Sequence, residues 1–251
     1  MPKQINPLIK FKGSMHGVSF YKTQDGFLAR EKTSIDPERL KSDPAFRNTR
    51  RHNAEFNAAG KAGKLFRRIF GDEINNASDN RVASRVTKAM VAIAKSDPVS
   101  TFGQRKVVLG DFNLLEDFEF NTSAPLSSVF RKIPACVINR TTGTVNVNIP
   151  EYIAEEDIAA PKDIRHYNFF AAAAVIDFAT EEYFIGRQSR PNVEYNETVV
   201  PAAAISLTIP PNATTPIFVV LGLEFVQLVN GVVYTKSRKL SALQLIAIDL
   251  P

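Results

Sequence analysis

A lone cysteine, three histidines and two charged clusters are the residues in this chain that could do chemistry. Cys136, His166 and an acid would make a nucleophile, a base and an orienting group. Nothing local supports that set. Cys136 sits in the apolar run 133–138, where a buried, inert thiol is the usual case. No G-x-S-x-G string marks a nucleophile turn. His16, His52 and His166 lie far apart, without a metal-ligand spacing such as H-x-x-x-H. Glu155-Glu156-Asp157 is a cluster that could hold a hard cation, but a solvated loop explains it more simply. No glycine-rich loop follows a strand and opens a helix, so a nucleotide site has no support. The chain is therefore read as no enzyme, with no cofactor, no metal and no identified small-molecule substrate.

The second charged cluster is basic. Arg47, Arg50, Arg51, Lys61, Lys64 and Arg68 fall roughly on one side of a helix expected at 44–70, opposite its phenylalanines. Such a stripe could contact phosphates, or it could be a solvated face or one that meets an acidic neighbour. The stripe belongs to a wider asymmetry. Residues 1–110 hold 21 Lys+Arg against 10 Asp+Glu, and residues 111–251 hold 10 against 16. A chain so divided can attract copies of itself head to tail or present its basic end to a polyanion.

Secondary-structure signals change near the same point. Residues 8–31 read as paired strands: Leu8-Ile9-Lys10-Phe11-Lys12, then 18–22 after a turn at 13–17, then 27–30 after Gln24-Asp25-Gly26. Asp43-Pro44 opens the 44–70 helix, which is expected to stop at Gly71. Gly60 and Gly63 inside it each cost about 1 kcal/mol relative to alanine, which implies a close contact with another element. A second helix is expected at 78–95, antiparallel to the first. From 107 onward short apolar runs separated by Gly, Pro and Asn indicate strands, including 107–109, 118–120, 166–178, 217–229 and 242–249. Asn230-Gly231 is the clearest hairpin turn. Residues 179–203 form the longest connector and carry Tyr183, Phe184 and Tyr195, the makings of a contact surface.

The fold class expected is α+β: an N-terminal β-hairpin arm and a two-helix segment, followed by a C-terminal antiparallel β-sandwich. The domains expected are a β-arm at 1–32, a basic helical segment at 33–106 and an acidic sandwich at 107–251. Phe218, Val220, Leu243, Leu245 and Ile248 are expected in its core. No secretory signal and no run long enough to span a bilayer is present, so synthesis in the cytoplasm and no membrane partner are expected.

Several strings resemble an uncharacterised family of predicted proteins from Bacteroidota genomes. They are Phe20-Tyr21-Lys22, the run 25–32, Ala59-Gly60-Lys61-Ala62-Gly63-Lys64-Leu65, the run 220–225 and Val229-Asn230-Gly231. The resemblance spans nearly the whole chain, implies a bacterial source and brings no activity with it.

The functional expectation is a structural protein that assembles with copies of itself into a filament, tube, shell or appendage, such as a phage-derived virion or tail component. Phe11, Phe20, Tyr21, Phe27, Gly60, Gly63, Tyr183, Phe184 and Tyr195 are the interface candidates. The alternative is a nucleic-acid-binding protein that uses the six cations of the basic stripe.

Overall fold

A computed structural model describes residues 3–4, 10–23, 25–32, 36–230 and 232–251. Leu8, Ile9, Gln24, the connector residues 33–35 and Gly231 lie outside them. The chain divides into two compact units, Met1–Arg50 and Arg51–Pro251.

The first unit holds an antiparallel ribbon of β1 (Gly13–Met15), β2 (Val18–Thr23) and β3 (Gly26–Glu31). Of the strand expected at 8–12, the described residues 10–12 carry no strand, and β1 falls inside the expected turn at 13–17, because the turn is tighter than its glycines implied. His16 and Gly17 both take positive φ (46° and 78°), the geometry of a two-residue primed turn. Helix α1 (Pro37–Ser42) follows, with the Asp36 side chain accepting from the Glu38 amide. The Asp43 side chain then accepts from the Ala45 amide and caps a 3₁₀ turn at Pro44–Phe46.

Helix α2 (Arg47–Ile69) runs from there into the second unit. It ends at Ile69, close to the stop expected at Gly71, but the chain does not leave helical structure there. Gly71 instead opens the short α3 (Gly71–Asn76), since a glycine with helical φ continues a turn as readily as it stops one. Helix α4 (Val82–Lys95) runs antiparallel to α2: Gly63 faces Val86 and Thr87, and Arg67 donates to the Ala83 carbonyl. Gly63 faces α4, but a Cβ built on it would meet Val86 and Thr87 at an ordinary 3.5 Å, so the close approach expected of the glycine pair is not required there. It is absent at Gly60, where a Cβ meets nothing within 4 Å. Gly60→Ala is therefore expected to stabilise the protein by about 1 kcal/mol, read as a higher urea midpoint. A lower midpoint would mean that this surface is occupied.

Beyond the helices come 3₁₀ turns at Val107–Leu109 and Phe112–Leu115 and α5 (Leu126–Val129). The first was expected as a strand, but among the described residues no strand pairs with it; it packs on α4 and borders a cleft with Leu65 of α2 and Phe178. Residues 118–120 do pair: the Phe120 amide donates to Leu243 and the Leu245 amide to Phe118. Next come β4 (Ala135–Asn139), β5 (Thr144–Ile149), β6 (Tyr152–Ile153), α6 (Ala154–Asp157), β7 (His166–Ile176) and β8 (Tyr183–Glu194). The chain ends with β9 (Val199–Val200), β10 (Ala203–Thr208), β11 (Ile217–Val229), β12 (Val232–Thr235) and β13 (Ala242–Asp249).

Every pairing among the described strands is antiparallel, and the fold is α+β with sandwich-like sheets. The large sheet runs β8-β7-β11, and β13 and β12 share the far edge of β11. The small sheet is β10-β5-β4. One core fills the space between the sheets, with Val145, Val147, Ile205 and Leu207 against Phe169, Ala171, Val219 and Leu221. A second core lies on the other face of the large sheet, where Phe170, Ala172, Ala174, Phe218 and Val220 meet Phe66, Ile69, Val86 and Met90. The helices thus share a core with the sheet. That explains β7 and β11: a strand covered on both faces loses the polar alternation of a half-exposed one. Phe218, Val220, Leu243 and Leu245 are buried as expected, but against helices; Ile248 is half-buried beside them.

The expected connector at 179–203 contains β8, a 12-residue edge strand. Its irregular apolar pattern conceals it, as does Pro191, which an edge or bulge tolerates. Pro191 and Asn192 face Asn168 across a bulge, where the Asn192 amide donates to Asn168 Oδ1 at 2.7 Å. At Gly186 the strand comes so near β10 that a Cβ would lie 2.3 Å from the Thr208 carbonyl oxygen.

Candidate functional site

The structure separates the catalytic candidates. Cys136 lies on β4 in the small sheet, half-buried against the inter-sheet core, and burial pushes its thiol up to about 11. That suppresses the thiolate a nucleophile needs. His166 alternates with Tyr167 along β7 and so projects from the far face of the large sheet. Asp157 of the acidic triplet accepts from the Ile153 amide at 3.0 Å and pairs with Lys132 at 3.4 Å. Among the described residues no group of three His, Cys, Asp or Glu could hold a metal ion.

Glu119 is the carboxylate whose environment departs furthest upward. Burial first, and then the charge of Asp117, push it to about 7, against the donation from the Leu126 amide and the charge of Arg85. Both carboxylate oxygens lie within 3.2 Å of the Leu126 amide at the start of α5, so its position is explained by anchoring that turn. Between pH ~4.5 and ~7 the folded protein holds a proton there that the unfolded chain has released, so this group lowers stability as pH rises through that window. Glu119→Gln keeps an acceptor for Leu126 without the charge. The variant is expected to match the parent at pH 5 and to exceed it in urea midpoint at pH 8. Equal midpoints at both pH values would refute a raised Glu119.

The basic stripe is thinned by the fold. Arg50 donates to the Leu40 and Asp43 carbonyls. Arg51 stacks over Phe102, its guanidinium 5.7 Å from the ring centre. Arg47 is exposed in the first unit. Lys61, Lys64 and Arg68 remain, exposed at i, i+3 and i+7 on α2, and together they line a hollow with Leu65 and Glu181. Arg68 also lies over the Tyr183 ring at 5.8 Å, so α2 meets the start of β8 here.

This hollow opens into a cleft of about 470 Å³ whose apolar lining was not read from the sequence. Leu65, Val107 and Phe178 contribute to it, with Val108 and Leu109, each 44% exposed. The missed signal was that a 3₁₀ turn, unlike a strand, shows two successive apolar side chains to solvent.

The chain matches no family model, no curated protein and no solved structure.

The interface candidates divide in the same way. In the first unit Phe11 is 50% exposed and packs its ring 5.6 Å from Phe20. Tyr21 lies under Arg30, and Phe27 under Lys10 and Lys22. In the second unit Tyr183 and Phe184 are exposed on the edge strand. Tyr195 is half-buried and donates its hydroxyl to the Ile158 carbonyl at 3.3 Å. Gly63 is buried against α4 and Gly60 is open. Phe11, Phe20, Tyr21, Phe27, Tyr183 and Phe184 thus keep contact area to offer; Tyr195 and Gly63 have internal roles.

Proposed function

We propose that this is a non-enzymatic structural protein that assembles with copies of itself, and that residues 1–32 are the arm by which one copy grips the next. One observation carries the reading. Among the described residues of the first unit, Leu28 is the one buried side chain. A three-stranded ribbon without a covered apolar face does not hold its shape alone. It nonetheless carries Phe11, Met15, Val18, Phe20, Tyr21 and Phe27, all half-buried or exposed. Covering such surface is worth about 25 cal/mol per Å², and the outer edge of β1, unpaired among the described residues, offers backbone groups to a neighbouring sheet.

Charge supports the same reading. Residues 1–50 hold 10 Lys+Arg and 5 Asp+Glu, while the rest of the chain holds 21 of each. The first unit therefore carries the whole net charge of +5, and the acidic residues beyond 110 give it a complement on another copy. The nucleic-acid alternative keeps three grouped cations of its six, with Glu181 among them.

Deletion of residues 1–32 tests the arm. The full chain is expected to run as a large species without nucleic acid, by light scattering and electron microscopy. The truncated chain is expected to remain folded by circular dichroism and to run as a monomer. A monomeric full chain, or a truncated chain of unchanged assembly size, would overturn the proposal.

A further inference from the structure

Three adjoining hollows on the second unit form one groove whose character changes from end to end. The first holds Lys61, Lys64 and Arg68. It shares Lys61, Leu65 and Glu181 with the apolar cleft of about 470 Å³. That cleft shares Val108 and Phe178 with a third hollow of about 280 Å³, which reaches Phe112, Pro216 and Leu250. From the groove's structure we infer that it binds a single-chain amphiphile with an anionic head, such as a fatty acid, head at the lysines and tail along Val107, Val108 and Phe178.

Charge, volume and exposed apolar surface argue for this occupant. The charge is graded along the groove: three cations stand at one end, Lys106 borders the middle cleft, and the far hollow is lined largely by apolar and uncharged residues, with Asp177 the one charged side chain in its lining. Lys61 and Lys64 make no ion pair among the described residues, so their charge is available. The middle cleft is also of the size that takes small organic ligands, about 300–1,000 Å³, and its exposed Val108 and Leu109 gain a cover when a tail lies across them. Glu181 borders the head end without an ion pair of its own among the described residues, so it opposes an anion and sets the site's affinity below what the lysines alone would give.

The inference does not depend on self-assembly, and its test is separate. Calorimetry on the full chain would compare dodecanoate and dodecyltrimethylammonium, each below its micelle concentration, with acetate. Dodecanoate is expected to bind saturably, and the cationic amphiphile and acetate at least tenfold more weakly. Lys61→Glu combined with Lys64→Glu is expected to weaken dodecanoate at least tenfold, Glu181→Gln to tighten it severalfold, and Lys88→Glu on α4 to leave it unchanged. Folding of each variant is checked by circular dichroism. Equal binding of the cationic amphiphile would reduce the groove to a greasy patch, and equal binding of acetate to a plain anion site. Either result, or no saturable binding of dodecanoate, overturns the inference.

Discussion

Truncating Phe218 to alanine is expected to destabilise the second unit by about 4 kcal/mol, the largest effect of any single side-chain removal proposed for this fold. Phe218 is fully buried on β11, on the face of the large sheet that meets the helices. Its ring stands edge-on to Phe66 of α2 at 5.5 Å, to Phe112 at 5.5 Å and to Phe178 at 6.1 Å. It therefore joins three segments distant in sequence, and its loss leaves a cavity that no one of them can close. Those edge-to-face contacts add to the burial itself. Urea unfolding should show a lower midpoint at unchanged slope. Phe56→Ala, on an exposed part of α2, is the comparison and should change stability by less than about 0.5 kcal/mol. A Phe218 effect as small as that would mean that the helices do not pack on the sheet as described.

Replacing Glu55 with glutamine is expected to cost about 3 kcal/mol at pH 7 and to cost progressively less in acid. Glu55 is buried on α2, where Oε1 accepts from the Gly103 amide and Arg105 Nε and Oε2 accepts from Arg105 Nη2, each at 2.7 Å. The Arg105 hydrogen bonds, helped by Gly103 and opposed by burial, hold its carboxyl down at about 2. A group held down in this way stabilises the fold fully above the unfolded value near 4.5. It loses that contribution as pH falls toward 2, where both states are protonated. The gap between parent and variant should accordingly narrow between pH ~5 and ~2. Asp97 acts in the same direction over a more acidic window, below its unfolded value of 3.8: the Lys106 amide first, then those of Val99 and Ser100, keep its carboxyl well below the usual range. A gap between parent and Glu55→Gln that stays constant from pH 7 to pH 3 would show that the pair is solvated.

Local physics was legible in the sequence, and partnerships were not. Asp43-Pro44 announced a helix start, and the apolar residues at helical spacing announced α2 and α4, because capping and amphipathic period act within a few residues. The long apolar run of β11 announced a strand covered on both faces, since its composition leaves no polar side for water. The charge division along the chain could be counted directly. What covered each surface was decided by tertiary structure. Phe218 and Leu243 were read as facing a second sheet, but face α2 and α4, because a two-sided strand carries no mark of which neighbour lies on which side. β8 was read as a connector because its hydrogen bonds come from β7 rather than from any alternation of its own. The six cations of α2 looked equivalent in sequence; the fold ties Arg50 to carbonyls and Arg51 to Phe102, and leaves Lys61, Lys64 and Arg68 beside a cleft that exists only where α2, the turn at 107–109 and the segment before β8 converge. Side-chain spacing sets which residues share a face, and only the three-dimensional path of the chain sets what that face meets.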